Sequence, residues 1–431
     1  MHKASAKFFG VLMSCGLCCV QFLLPTQIQA QYYDDPGLGQ RPVATYPQDY
    51  KPLGVRAGAF MLHPGVQLAA EYTDNVFFTE NNTVSDIIYH IRPYITAQST
   101  WSRHSLNVSL AADFAFYGDY DRQNYQDYFF DINGRVDVKT RSYFTYGLSY
   151  MNLHEDRSTR DGSQGFEPTR YNVYGANLGY DHTFNRLSLG VDYTIQWLDY
   201  DNSISETGEV IDNQDRNRDG GQWTFFAGYQ FKTDMQAYVT YAPYQIRYDE
   251  EFDSGGYNRS GDGYTVNGGL NFTITGKLNG DLYGSYHDRS YDDPALPGIS
   301  GWAAGAGLQW NPTYLTSIYA RIDSGIEETI SDYSSGYFRT LYSLRADHEL
   351  TRFIQLSAFI SYIDNDYTQI PGAPEFARKY DKVWRNGVGV NWYINRNIYL
   401  NGSYAWENLD TNVPDDDYTV NRVWLVLGLE Y

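Results

Sequence analysis

The sequence has almost no cysteine: Cys15, Cys18 and Cys19 are the only three in 431 residues. Beyond them no disulfide and no thiolate metal site can form. Long apolar runs are missing as well. After Leu24 nothing approaches the roughly 20 apolar residues of a spanning helix, and mean hydropathy is −0.51, so a helical membrane protein is excluded. Positive charge is in deficit, with 32 Lys and Arg against 52 Asp and Glu. That balance argues against nucleic acid and anionic membrane surfaces as partners. No phosphate-binding loop is present, and nothing in the sequence asks for a cofactor.

What is abundant is aromatic: 42 Tyr, 22 Phe and 9 Trp, together with 39 Gly. Tyrosine joins an apolar ring to a wet hydroxyl, which suits a membrane interface or the rim of an aqueous lumen. The chain opens on Lys3 and Lys7, an apolar run from Phe8 to Leu24 and the small-residue exit Ile28-Gln29-Ala30. This pattern is expected of a secretory signal peptide over 1–30, with an uncleaved anchor or a lipoprotein site at Cys15 as the alternatives. Two of the basic residues and none of the acidic ones fall there, leaving 30 against 52, or −22. Residues 31–61, rich in Tyr, Asp, Pro and Gly without alternation, are expected to form an extended periplasmic arm.

From Leu62 to Tyr431 the chain repeats strand, loop, strand and tight turn every 36 to 48 residues or so. Tight turns are read at 101–104, 140–142, 184–186, 232–235, 276–277, 311–313, 351–352 and 395–397. Longer acidic connections are read at 79–84, 119–124, 156–169, 201–221, 250–261, 292–300, 329–336, 368–378 and 410–417. Short and long alternate strictly, as in transmembrane barrels with short periplasmic turns and longer extracellular loops. The expected fold is therefore all-β, an antiparallel up-and-down barrel of about 18 strands, with 16 the runner-up.

Within the strands, period-two alternation separates two faces. Leu187, Leu189, Val191, Tyr193, Ile195 and Trp197 form one uncharged row, and Phe130, Ile132, Gly134, Val136 and Val138 another. Rows closed by aromatic residues, as Trp302 and Trp310 close theirs, place rings at both bilayer interfaces. A soluble sandwich also alternates, but it gives no reason for loops long at one end only. At the end of the chain Val423, Leu425, Leu427, Leu429 and Tyr431 make an unbroken apolar row. This resembles the insertion signal of bacterial outer-membrane barrels, and implies barrel-insertion machinery as a partner.

The charges fall on the second face. Asp131, Arg135, Asp137, Arg321, Asp323, Arg345, Asp347, Glu349 and Arg385 are expected to line the pore, either setting up a transverse field or pairing across strands. Tyr238, Tyr319 and Tyr393 are candidates for stacking on sugar rings. Asp215, Asn217 and Asp219, before Gly220, fit the opening of a calcium loop, but its twelfth position is Phe226 where a bidentate Glu is needed. A solvated acidic loop is the competing reading. His154, His182, His287 and His348 are candidate bases for a lipid hydrolase or protease, or interfacial residues capping an aromatic belt.

Leu62 to Tyr120 reads LHPGVQLAAEYTDNVFFTE, then SDIIYHIRPYI, then WSRHSLNVSLAADFAFYGDY. These hairpins resemble the outer-membrane β-barrel porin family, second type, in Pro64, in Tyr72, Asp74, Asn75 and Val76, in the Arg92-Pro93 step and in the Trp101 to His104 turn. The resemblance implies an outer-membrane barrel beside exopolysaccharide export systems, passing polysaccharide or another polar carbohydrate, with lipopolysaccharide around it and periplasmic export components as partners. It supplies no catalytic motif. A plugged structural or adhesive barrel and an outer-membrane hydrolase are the rival functions.

Overall fold

The computed structural model describes residues 50–431 apart from 160, 161, 163 and 164. The expected leader and most of the expected arm lie outside the described residues. A short strand, Val55–Ala57, folds back on the first wall strand, which begins at Phe60 and so slightly ahead of the expected Leu62.

Eighteen strands make the wall, numbered here in chain order. They begin β1 Phe60–Thr73, β2 Asp86–Ser99, β3 Ser105–Tyr117, β4 Tyr125–Lys139, β5 Ser142–His154 and β6 Arg170–Phe184. They continue β7 Leu187–Tyr200, β8 Arg218–Lys232, β9 Met235–Tyr248, β10 Gly261–Ile274, β11 Leu278–Tyr291 and β12 Ile299–Thr313. Last come β13 Thr316–Glu327, β14 Ser334–Thr351, β15 Ile354–Gln369, β16 Tyr380–Tyr393, β17 Ile398–Thr411 and β18 Tyr418–Glu430. Every strand pairs antiparallel with the next, and β18 pairs with β1 from Gly65↔Glu430 to Thr73↔Arg422. The sheet is thereby closed. Closure matters because hydrocarbon offers no hydrogen bonds, so backbone groups in the wall must find partners within it.

Short turns and long loops alternate as expected, but boundaries shift: the loop expected over 79–84 runs over 74–85, the one expected over 329–336 runs over 328–333, and two further shifts have a local cause. The turn expected at 311–313 is at 314–315, because Pro312 breaks the ladder without ending the strand: the register slips between Trp310 and Thr313. The loop expected over 201–221 ends at 217, since Arg218 to Gly221 pair with β7 and β9. Its tip is a small hairpin, Ser203–Ile204 against Val210–Ile211, turning at Gly208, whose φ of 84° favours glycine.

The uncharged rows face outward. Leu187, Leu189 and Trp197, Val136 and Val138, and Val423, Leu425, Leu429 and Tyr431 are all exposed on the barrel exterior. Facing ring to ring, Tyr193, Trp223, Phe225, Tyr241, Tyr264, Tyr286 and Trp302 form a continuous outward chain across β7 to β12, each contact 4.7–6.4 Å between centroids. Outward charges such as the Arg247–Asp262 pair stand beyond that belt, toward the loops. An apolar band edged by rings is what a bilayer requires of a barrel exterior.

Candidate functional site: the lumen and its mouth

Inside, aromatic rings and glycines interlock. Tyr94 is paired with Gly65, Tyr238 with Gly269, Tyr244 with Gly263, Tyr283 with Gly305, Phe359 with Gly387 and Tyr399 with Gly428, all on the inward face. In each pair a Cβ on the glycine would collide with the ring, so the ring lies across its neighbour strand in space only glycine leaves. Some of the Tyr and Gly of the chain are thereby linked. Of the expected sugar-stacking residues, Tyr238 is one of these rings. Tyr393 is buried instead, its hydroxyl donating to Gln355 Oε1 at 3.1 Å, and Tyr319 is half-buried on the inward row of β13.

The expected pore charges do face inward, but most are neutralised along their own strand. Arg135 bonds Asp137, Arg321 bonds Asp323 at 3.1 Å, and Arg345 bonds Asp347 at 3.0 Å, each two residues on. Residues i and i+2 share a face, so the pairing is local. Asp131 accepts from Asn133. Arg385 reaches across to Glu407 at 2.9 Å, where Arg422 and the Tyr418 hydroxyl also converge on the same buried carboxylate, and Asp323 accepts across the wall from the Tyr283 hydroxyl at 3.1 Å. A second buried network went unsuspected in the sequence: His90 lies between Glu71, at 3.3 Å, and Asp113, at 3.1 Å, with Arg92 on Asp113. Only strand register brings these together.

The calcium-loop candidates are split by the fold. Asp215 accepts from the Ser254 N–H, the Asn217 side-chain oxygen accepts from the Tyr200 N–H at 2.6 Å, and Asp219 is in β8, opposite Trp197 on the outward face. Among the described residues no group of three or more His, Cys, Asp or Glu is placed to hold a metal ion. Of the histidines, His182 and His348 sit on the outward rows near the turns, His348 against Thr316. His154 lies on Asp127 at 3.0 Å, its ring stacked on Tyr125. His287 touches Ser285 at 3.0 Å and Thr265 at 3.2 Å, a hydroxyl standing where a triad would have a carboxylate.

At the loop end, contacts tie the nine connections to one another or to the wall beside them. Phe77 meets Tyr120; Arg157 donates to Gln123; Glu155 pairs with Arg216; Asp215 accepts from the Ser254 N–H; Asp293 accepts from the Asn258 N–H. Further round, Arg259 donates to Ser331 O, Tyr333 meets Phe376, Arg378 pairs with Asp416, and Asn421 donates to Asp74. Burial opposes ionisation of Asp156, yet the Arg422 guanidinium and the Ser158 N–H and hydroxyl outweigh it and hold that carboxyl below the usual range. Two loops also dip inward. Phe78, held at a φ of 52°, packs on Ile363, Val383, Leu409, Tyr418 and Val420 from the inner wall. The loop 328–333 reaches across to β9 and β11, where Glu328 accepts from Tyr248 at 3.1 Å and pairs with Arg289 at 3.1 Å.

A closed wall of eighteen strands, with an outward apolar band edged by rings and a polar inner face, defines a transmembrane β-barrel of the outer membrane. The family described as "Putative beta-barrel porin 2" matches residues 47–431, and the chain belongs to it. It is an outer-membrane porin-type channel protein, as the opening hairpins implied. No curated protein matches the chain. Among solved structures it is similar to OpdO of Pseudomonas aeruginosa, at 14% identity and TM-score 0.43 over 86% of this chain and 97% of that one. Similarity extends to OpdK of the same organism, at 12% identity and TM-score 0.43 over 86% and 99%. The siderophore receptor PirA of Acinetobacter baumannii is similar at 6% identity and TM-score 0.44, over 85% and 80%.

Proposed function

We propose that the barrel passes polar carbohydrate, a secreted polysaccharide chain, across the outer membrane, without enzymatic turnover. The observation that carries this reading is the set of inward rings lying across glycines. Flat apolar faces beside neutral hydrogen-bonding side chains such as Asn177, Thr194 and Ser357 match the alternating apolar and hydroxylated surfaces of a sugar. Paired lumen charges add a second support: with their fields mutually cancelled they hold a neutral or weakly charged chain only loosely. Lipopolysaccharide around the exterior, the barrel-insertion machinery and periplasmic export components belong to this proposal as partners.

The inward seat of Phe78 favours a second reading, a plugged structural barrel. Planar-bilayer recordings separate the two. Purified protein should conduct, and Arg135→Ser, Arg345→Ser and Arg385→Ser together should shift its selectivity toward cations, most strongly at low salt. Absence of conductance at every voltage, with polysaccharide secretion unchanged in a deletion strain, would leave the structural reading in its place.

A further inference from the structure

The wall is not equally sealed all round. Strand β11 pairs with β12 from Arg289↔Ile299 to Leu278↔Trp310, and β13 pairs with β14 from Thr316↔His348 to Glu327↔Tyr337. Between β12 and β13, however, the ladder runs only from Thr313↔Thr316 to Ala306↔Ile322. From Ile299 to Gly305, β12 is therefore paired on one side only, over the half of the strand nearer the loops. The cause is the tip of the β13–β14 hairpin, which leaves the wall and lies inside it. Phe338, whose position in β14 would point its ring to lipid, meets inward-facing His287 at 5.6 Å and lies over inward-facing Gly301. The outward chain of rings stops at this place too, with Trp302 81% exposed at the edge; it resumes on the far side with Tyr342, Tyr362 and Trp384.

Immediately inside the open edge is a cluster of donors without acceptors. Arg289 stands directly across from Ile299, the first residue of the unpaired edge, and its side chain is 0% exposed. Its Nη2 serves Glu328 and the Arg259 carbonyl, while its Nε and Nη1, the Tyr291 hydroxyl and Ser334 Oγ have no partner. Unpartnered buried polar groups are costly, and a guanidinium beside two hydroxyls that can turn to donate is complementary to an anionic oxygen-rich group. An unpaired sheet edge facing hydrocarbon is costly as well.

An anionic head would satisfy these side chains, and the break in the ladder leaves its tail a lateral route, although the acyl chain makes no hydrogen bond to the strand edge. We propose that the gap between β12 and β13 is a lateral doorway for an anionic amphiphile, a carboxylate with an acyl chain, whose head is held by Arg289, Tyr291 and Ser334 while its tail passes Gly301 and Trp302 into the surrounding leaflet. Glu328 occupies part of the head's place when the doorway is empty, and the incoming carboxylate displaces it. The inference is independent of polysaccharide passage.

Two measurements test it on the full barrel in phosphatidylcholine vesicles. Ala304→Cys with Ser324→Cys would be cross-strand neighbours if the ladder continued in register; Leu308→Cys with Ala320→Cys, displaced by four residues on the same outward face, are neighbours in fact. The control pair should oxidise to a disulfide and the upper pair should not; equal oxidation means a sealed wall and overturns the proposal. The chain has no other cysteine beyond its first nineteen residues to confuse the result. Palmitate carrying a terminal diazirine should label peptides containing Trp302 or Phe338 saturably, with apparent affinity weakened about tenfold by Arg289→Gln, as expected when a charge-assisted contact is lost. Arg135→Ser, remote from the doorway, serves as the control for lumen charge. Labelling spread evenly to peptides with Trp223 and Trp384, or unaffected by Arg289→Gln in a barrel that retains heat-modifiable mobility, overturns it. Hexadecanol with the same diazirine distinguishes head from tail: equal saturable labelling by the alcohol removes the anionic site.

Discussion

Two seams in the wall stand in contrast. Where β18 meets β1 the ladder runs without a slip from Gly65 to Thr73, and the inner face behind it is dense with buried groups: Trp424, Glu71 with His90, and Glu407 under Arg385 and Arg422. Where β12 meets β13 the ladder stops half way; unpartnered buried groups lie behind both seams, Trp424 Nε1 at the first and Arg289 Nε and Nη1, the Tyr291 hydroxyl and Ser334 Oγ at the second. The first seam is closed by residues far apart in sequence, so it carries the largest loop-closure entropy and depends on specific contacts to hold it. The second joins strands separated by a two-residue turn, so its ends are tethered whether or not the ladder is complete. A barrel can therefore leave a gap beside a hairpin at little topological cost, and cannot leave one at its closure.

Breaking the closure seam should have the greatest effect. Leu427→Arg places a charge on the outward row between Leu68 and Leu400, at about 2–4 kcal/mol near the bilayer midplane. Assembly should fail, read as loss of the heat-modifiable species; the equivalent change at Ala304, beside the half-paired seam, should be tolerated better. Glu407→Gln comes next, since it leaves Arg385 and Arg422 without their shared carboxylate, and removing one member of a buried ion group costs about 3 kcal/mol. Guanidinium unfolding of the refolded barrel should move to lower denaturant by that amount, and an unshifted midpoint would mean the closure is held by its backbone ladder alone.

Phe78→Ala sharpens the contrast from the lumen side. It empties the apolar seat formed on β15 to β18, at about 3–5 kcal/mol for burial lost, offset in part by relief of a positive φ on a bulky residue. Single-channel conductance should rise, whereas truncating Phe338 at the other seam should leave axial conductance nearly as it was. The smallest effect is the response of the rim to pH. Because the Asp156 carboxyl is held below the ordinary value of about 3.9, its contribution is complete above that value and is lost as pH falls through the lower folded one. Protection of the amides around Asp156, measured relative to intrinsic exchange at each pH, should fall below about pH 4 and stay flat from there to neutrality; a change in protection between pH 5 and 7 would point to a histidine instead.

Much of this molecule can be read from its residues. Alternation of period two is a property of the extended backbone itself, so the outward rows, the lumen row of Arg135 and Asp137, and the strict succession of short turns and long loops all follow without a structure. A count of about eighteen strands, with sixteen as runner-up, follows from that succession, while the closing pair of β18 with β1 is seen only in the structure. Pro312 misled because a proline that interrupts a ladder and one that ends a strand look alike in sequence. Asp215 and Asp219 misled for a related reason: spacing along the chain does not say that Arg218 already begins a strand. Beyond those cases the sequence is silent wherever contact depends on register between distant strands. Nothing in it places Tyr399 on Gly428, His90 between Glu71 and Asp113, or Glu328 on Arg289. Nor could it show the gap beside β12, because Ile299 to Gly305 alternate there as in any paired strand. Which face a side chain takes is local and was determined by the sequence alone; which neighbours share that face, and whether an edge is covered, only the closed tertiary structure decided, since pairing is a long-range choice.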